Sequence, residues 1–320
     1  MIDVYLLEQS GLKSSEWDEY VNSSPNGTLF HTRKFLSYHG VGKFEDASLV
    51  FRKRDKITAL LPATVKSVGN KRVFVSHPGA SWGGFVADDY LKHRVVEELV
   101  SKLIKQASKL SCDRIELTLP PHIYQRAYQD DIPFVLIKNG FSYVKRELTS
   151  VVDLKQDLDT LVNRAVRKGV NKATRQGIEI SYENNDWSDF YDLLTKTLEY
   201  KGAKPTHTLS ELLRLKELFP ESIVLWCAYL EGEMVGGMCS WLVNSDTWLV
   251  FYSAYNLEMT GDRILDLLFH SFIDYYKFRG YRYLDFGTSS LNMQVNRGLI
   301  NFKEQFGGYG HFRDTLAVDL

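Results

Sequence analysis

The feature that most limits the fold is a repeat: a helical stripe followed by a strand with an acid between two apolar residues occurs twice, about 170 residues apart. Between Val95 and Leu110, apolar residues recur at helical spacing at Val95, Val96, Leu99, Val100, Leu103, Ile104, Ala107 and Leu110. From Asp262 to Arg279 the spacing returns with Ile264, Leu267, Leu268, Tyr275 and Phe278. Gly280 then stands where a helix C-terminus favours a residue free to turn left-handed. Each stripe leads into a short strand with an acid between two apolar residues, Glu116 between Ile115 and Leu117 and Asp285 between Leu284 and Phe286. A hairpin lies earlier in each half. Residues 48–51 turn through Arg54-Asp55-Lys56 into 57–61, and 223–230 turn through Glu231-Gly232-Glu233 into 234–242. This order, met twice, predicts an α/β (α+β) chain of two duplicated units, each a mixed central sheet flanked by helices, with the two helices in equivalent places. The plainer alternative is two α/β domains that share commonplace elements.

A length of 320 residues suits two domains. The boundary is expected near Ser150, giving domains 1–150 and 151–320, with the last strand free to return to the first domain. Val151-Val152-Asp153-Leu154 reads as a strand opening the second half, followed by a basic helix, 161–175, with Arg164, Arg167, Lys168, Lys172 and Arg175. No Pro- or Gly-rich linker separates the halves, which predicts a tight interface with a cleft, a common place for a ligand. A net charge of −1 argues against a global field that gathers nucleic acid, so any RNA contact has to come from a local basic patch. Cys112, Cys227 and Cys239 are too few and scattered for a disulfide framework, and no His or Cys spacing suggests a metal site. The first ten residues carry Asp3 and Glu8 without a basic-then-apolar leader, and no apolar run reaches the ~20 residues of a bilayer span. These features predict a cytoplasmic protein with no stable membrane insertion.

Gly232 marks the second hairpin's turn, and Gly236-Gly237 on its return strand lack side chains, which allows a ligand backbone to come close. This hairpin, the strand 248–256 and the helix opened by Thr260-Gly261-Asp262-Arg263 together resemble the GNAT acetyltransferase superfamily. The resemblance implies that 248–256 is a splayed strand. It also implies that the following helix start, with Gly261, Arg263 and Arg167, binds a donor's phosphates through free N–H groups and the positive dipole end. The chain departs from the pattern in having one glycine there, with Asp262, read as a helix N-cap or first-turn carboxylate, beside it; this weakens the case for ordinary acetyl-CoA use.

Near the C-terminus, Phe302-Lys303 followed by Phe306-Gly307-Gly308 resembles the closing segment of the FemABX peptidoglycan-bridge family. The basic helix running into Gln176-Gly177-Ile178 and the patch 197–208 with Gly202, Pro205 and His207 are similar too. So are residues 28–38 and Ser76-His77-Pro78-Gly79 running into Trp82-Gly83-Gly84, although Phe35 stands where that family often has Trp. The resemblance spans nearly the whole chain. It implies transfer of an amino acid from aminoacyl-tRNA to an amine on a nucleotide-linked peptidoglycan precursor, that is, a transferase of cell-wall biogenesis. Its acceptor is a small-molecule or nucleotide-linked amine, its donor end the acceptor end of a tRNA, and it holds no bound cofactor.

Amine attack on an activated carbonyl builds negative charge on the oxygen, and a positioned cation lowers that barrier. Lys303, flanked by Phe302 and Phe306, is the candidate cation, against the ordinary fate of lysines on a solvated surface. Asp285 is the candidate to orient the amine or take its proton, or else a loop-organising carboxylate. Substrate-binding candidates are His31, Arg33 and Trp82 in the first half and Tyr200, Lys201, His207, Tyr252 and Phe302 in the second. Two alternatives stay open: an N-acyltransferase whose donor is acyl-CoA, and a non-catalytic binding protein on the same fold.

Overall fold

The computed structural model describes residues 1–40, 42–87, 90–126, 129–182 and 186–320. The chain divides into two compact units, Met1–Glu147 with Phe312–Leu320 (unit 1) and Leu148–His311 (unit 2). The first stretch carries β1 (Asp3–Leu6), α1 (Ser14–Ser23), β2 (Leu49–Lys53), β3 (Lys56–Leu61), β4 (Thr64–Val68) and β5 (Lys71–Ser76). It continues with α2 (His93–Lys109), β6 (Arg114–Thr118), α3 (Asp131–Lys138) and β7 (Ser142–Asp153), which passes from unit 1 to unit 2 along its length. Unit 2 goes on with α4 (Arg164–Arg175), β8 (Glu179–Tyr182), α5 (Trp187–Tyr200), α6 (Leu209–Leu218), β9 (Ile223–Leu230), β10 (Glu233–Asn244) and β11 (Thr247–Tyr255). Last come α7 (Ile264–Phe278), β12 (Tyr283–Thr288), α8 (Arg297–Glu304) and β13 (Tyr309–Asp319), whose residues from Phe312 belong to unit 1.

In unit 1, β1, β2 and β3 form an antiparallel sheet, while β5 pairs antiparallel with β4 and parallel with β6, and β6 pairs antiparallel with β13. The parallel pair is joined through α2, whose Val96, Leu99, Val100, Leu103 and Ala107 are buried as the stripe requires. In unit 2, β12 pairs antiparallel with β7 and parallel with β11, and antiparallel pairing continues through β10, β9 and β8. Here α7 joins the parallel pair. Each unit thus contains a parallel pair with one crossover helix, the arrangement anticipated from the repeat. Both hairpins form, and Glu231 (φ 52°) and Gly232 (φ 86°) both take the positive angles a tight two-residue turn needs.

The basic helix expected over 161–175 begins at Arg164, and two further readings need correction. The strand expected to open at Val151 begins at Ser142, and the helix expected from Asp262 begins at Ile264 after a 3-10 turn, 257–262. Arg263, in the left-handed region at φ 61°, occupies the N-cap position expected of Asp262. Among the described residues no helix is long and apolar enough to cross a membrane, and no group of three His, Cys, Asp or Glu side chains is placed to hold a metal ion.

Candidate active site

In unit 2 the sheet pairing ends early between β11 and β12. β11 and β12 pair only from Thr247–Leu249 against Tyr283–Asp285, and beyond Asp285 they part. The pairing of β12 with β7 slips at the same point, between Asp285 and Thr288. Gly287 makes this break, with φ 78° and with Val250 O only 3.2 Å from where its Cβ would be. Across the sheet, β11 slips against β10 around Phe251.

A buried polar network fills the root of the opening. Asp285 is 1% exposed; its Oδ1 accepts the Thr149 hydroxyl and, at 2.8 Å, the Gly287 N–H. Lys303 on α8 is 3% exposed, and its ammonium donates to Gly287 O (2.6 Å), Thr288 O (2.9 Å) and Ser289 Oγ (3.2 Å). Ser289 Oγ also meets Ser150 Oγ at 2.7 Å. Burial pulls the Lys303 pKa down from 10.5 to about 8, with Asp285 opposing, so the side chain is still an ammonium at pH 7. α8 is held in place by its Asn296 cap and by Phe302 and Phe306, whose rings meet Phe269 of α7 at 5.2 and 5.5 Å. The Phe-Lys motif therefore turns both aromatics to the core beside a fully bonded lysine. His311, in the same unit, is pulled below the usual histidine range by burial, with Asp285 opposing.

His207 is buried, edge-on to Trp241 (5.6 Å) and Phe251 (5.2 Å), which stack at 3.9 Å. The Tyr252 hydroxyl meets His207 Nδ1 at 2.9 Å and accepts the backbone N–H groups of Thr206 (3.0 Å) and His207 (3.2 Å). These contacts fix the loop before α6 to β11. Tyr200 and Lys201 stand exposed at the end of α5.

The start of α7 is filled by the protein's own groups. Arg263 Nε donates to Asp266 Oδ2 at 2.6 Å, and Asp266 is only 6% exposed. Burial raises the Asp266 pKa and Arg263 opposes this. Lys172 of α4 donates to Gly261 O (2.7 Å) and pairs with Asp262, which also accepts from Gln176 (2.6 Å). A Cβ on Gly169 of α4 would lie 2.1 Å from Asp266 Oδ2, so α4 packs directly on the helix start. Arg167 is half-buried on the same α4, while Arg164, Lys168 and Arg175 are exposed. The glycine pair also has a different use from the ligand approach expected of it. A Cβ at Gly236 would strike Ile264 of α7, and one at Gly237 would strike Phe190 of α5, each at 2.5 Å, so these glycines admit helices to the two faces of β10.

The unit 1 candidates are tied into their own fold. His31 is fully buried; Thr28 N–H (3.1 Å) and Oγ1 (2.7 Å) meet its Nδ1, and Nε2 faces Gly83 O at 3.0 Å. Burial pulls its pKa down to about 4, so it is neutral. Trp82 is buried with Nε1 donating to Thr28 Oγ1 at 3.2 Å, and Arg33 pairs with Asp46 and donates to Ser48 Oγ at 3.0 Å. Unit 1 also holds a cavity of about 300 Å³ that the sequence did not suggest, lined in part by Gln125, Ile132, Tyr143, Arg146, Phe312 and Asp314. Arg146 lies 3.9 Å over the Phe312 ring and 4.5 Å over Tyr143, with Nε donating to Asp314 Oδ1 at 2.8 Å.

Residues 162–303, which contain the parted strands, α7 and Lys303, match the profile of the acetyltransferase (GNAT) domain family. The matched segment is similar to a GNAT acetyltransferase. No curated protein matches its sequence. Among solved structures, FemX shares the fold at a TM-score of 0.76 and 15% identity, over 99% of this chain and 97% of that one. A tandem GNAT protein from the clavulanic acid biosynthesis pathway superposes at 0.58 and 10% identity, over 100% and 98%. L-PGS from Bacillus licheniformis does so at 0.57 and 14%, over 81% and 80%. The chain thus shares the fold of these three structures. Thr149, Ser150, Gly287 and Ser289, which build the root of its sheet opening, were not legible as site residues.

Proposed function

We propose that this acyltransferase moves an aminoacyl group from aminoacyl-tRNA to an amine on a cell-wall or nucleotide-sugar precursor, in the cytoplasm. The end of β11–β12 pairing beside the Asp285–Lys303 network carries the reading, since it leaves unpaired strand ends next to buried, fixed polar groups. In the reaction the acceptor nitrogen bonds to the ester carbonyl carbon and the C–O bond to the donor's ribose breaks. The proton lost by the amine ends on the departing oxygen. Lys303 and Asp285 shape this centre.

Two observations favour tRNA over coenzyme A. Arg263, Asp266 and Lys172 occupy the α7 start that a donor's diphosphate would need, and Asp266 places a carboxylate at that dipole end. The adjoining α4 presents Arg164, Lys168 and Arg175 to solvent, a local patch suited to a phosphate backbone. FemX shares the tandem architecture, which is compatible with such a donor. The second reading keeps acyl-CoA as donor, favoured by the match to the acetyltransferase profile. Supplying charged tRNAs and acyl-CoAs separately, with amino-sugar nucleotides as acceptors, and following product mass decides between them. Product with acyl-CoA alone would overturn the tRNA reading.

A further inference from the structure

An ammonium group has three N–H donors and no acceptor. In Lys303 all three have partners: Gly287 O at 2.6 Å, Thr288 O at 2.9 Å and Ser289 Oγ at 3.2 Å. The group is 3% exposed. A substrate carbonyl arriving there finds no free donor unless one of these bonds is given up.

The three acceptors belong to one short turn, just beyond the last residue of β12 paired with β11. Gly287 donates back to Asp285 Oδ1 at 2.8 Å, Ser289 N–H donates to Leu148 O at 2.6 Å, and Ser289 Oγ meets Ser150 Oγ. Gly287 holds a positive φ of 78°, and a Cβ placed on it would lie 3.2 Å from Val250 O, so the turn admits little more than glycine here. Lys303 is therefore the tie between α8 and the wall of the opening, and α8 is itself anchored through Phe302 and Phe306 to α7.

We infer that Lys303 is a positioning residue, which serves the transfer by holding the Gly287–Ser289 turn as one wall of the opening rather than by contacting the acyl oxygen. The inference rests on the acyl-transfer reading for its kinetic consequence and on the geometry of the turn for its structural one. A cation acting directly on the oxygen would leave the turn indifferent to its loss. A clamp makes the turn and the rate fall together, because small displacements at a reaction centre are costly.

The test pairs Lys303→Met with Ser289→Ala, singly and together, in the full chain. Hydrogen exchange at the Ser289 amide is read first, since it needs no substrate. It should speed up by about tenfold or more in Lys303→Met and by less in Ser289→Ala. In the transfer assay Lys303→Met should lower kcat by roughly 10²-fold with KM changed by about threefold at most. The double variant should be no slower than Lys303→Met, because both changes cut the same tie. Unchanged exchange in Lys303→Met overturns the clamp, as do kcat losses that multiply in the double variant. Should Lys303→Met fail to fold, Ser289→Ala keeps the ammonium and carries the exchange test alone. An inactive wild type would refute the transfer reading while leaving the exchange result to decide the clamp.

Discussion

The burial of Lys303 makes its effect on stability depend on pH in a direction that can be worked out. In the unfolded chain a lysine holds its proton up to 10.5, whereas in the fold burial lowers the pKa to about 8. Between pH 8 and 10.5 the unfolded state therefore binds more protons, and stability rises with pH across that window. At about 1.4 kcal/mol per tenfold change in proton affinity, the full contribution is about 3 kcal/mol. Lys303→Met has no such group, so the stability of the wild type minus that of the variant should climb by about 3 kcal/mol from pH 7.5 to 10.5. Whether the variant is more or less stable at pH 7 depends on two opposed effects. Relief of the buried charge favours Met, while two stranded carbonyls cost about 1–3 kcal/mol each. The pH trend is free of that balance, and other titrating groups cancel in the difference. Urea unfolding at a series of pH values measures it. A flat difference would show that burial does not perturb Lys303. A falling one would show that its three acceptors and Asp285 outweigh burial.

Gly169→Ala places a Cβ 2.1 Å from Asp266 Oδ2, so despite a gain of about 1 kcal/mol in helix propensity it should destabilise unit 2 by about 2–4 kcal/mol in urea. A more stable variant would mean that α4 does not pack on the α7 start. His31 has a folded pKa of about 4 against 6.5 unfolded, so its contribution is present above pH 6.5 and is lost as pH falls towards 4. The wild type should therefore lose about 3 kcal/mol more than His31→Gln over that window in acid unfolding, and parallel curves would contradict the burial of His31. Arg164→Glu with Lys168→Glu should leave the melt unchanged and weaken RNA binding in a fluorescence titration, with a shallower salt dependence. An unaltered salt slope would remove α4 from the donor site.

What the sequence revealed, and what it hid, follows from distance along the chain. The stripes 95–110 and 262–279 and the turn Glu231-Gly232 are local patterns, and each became the expected helix or hairpin. Helix starts were less legible, because Asp262 suits an N-cap by type, yet Lys172 and Gln176, 90 and 86 residues away, draw it into a different bond. Gly236 and Gly237 announced that something comes close to β10, but not that it is Ile264 and Phe190. The network around Asp285 is the extreme case: Thr149 lies 136 residues away and Ser150 lies 139 residues from Ser289, and none of these types stands out alone. Lys303 was singled out by its motif. Its three bonds became visible only when the fold brought the 287–289 turn to it.

The central claim is that the opening over Asp285 and Lys303 is a centre for transferring an aminoacyl group to an amine. The most direct test incubates the full chain with a mixture of radiolabelled aminoacyl-tRNAs and a panel of amino-sugar nucleotides and peptidoglycan precursors. Label moving from the tRNA fraction into an amide-linked product, stable to mild base and lost on Lys303→Met, is the predicted result. Label that stays on tRNA with every acceptor, while acyl-CoA supplied in its place yields an amide product, would contradict it.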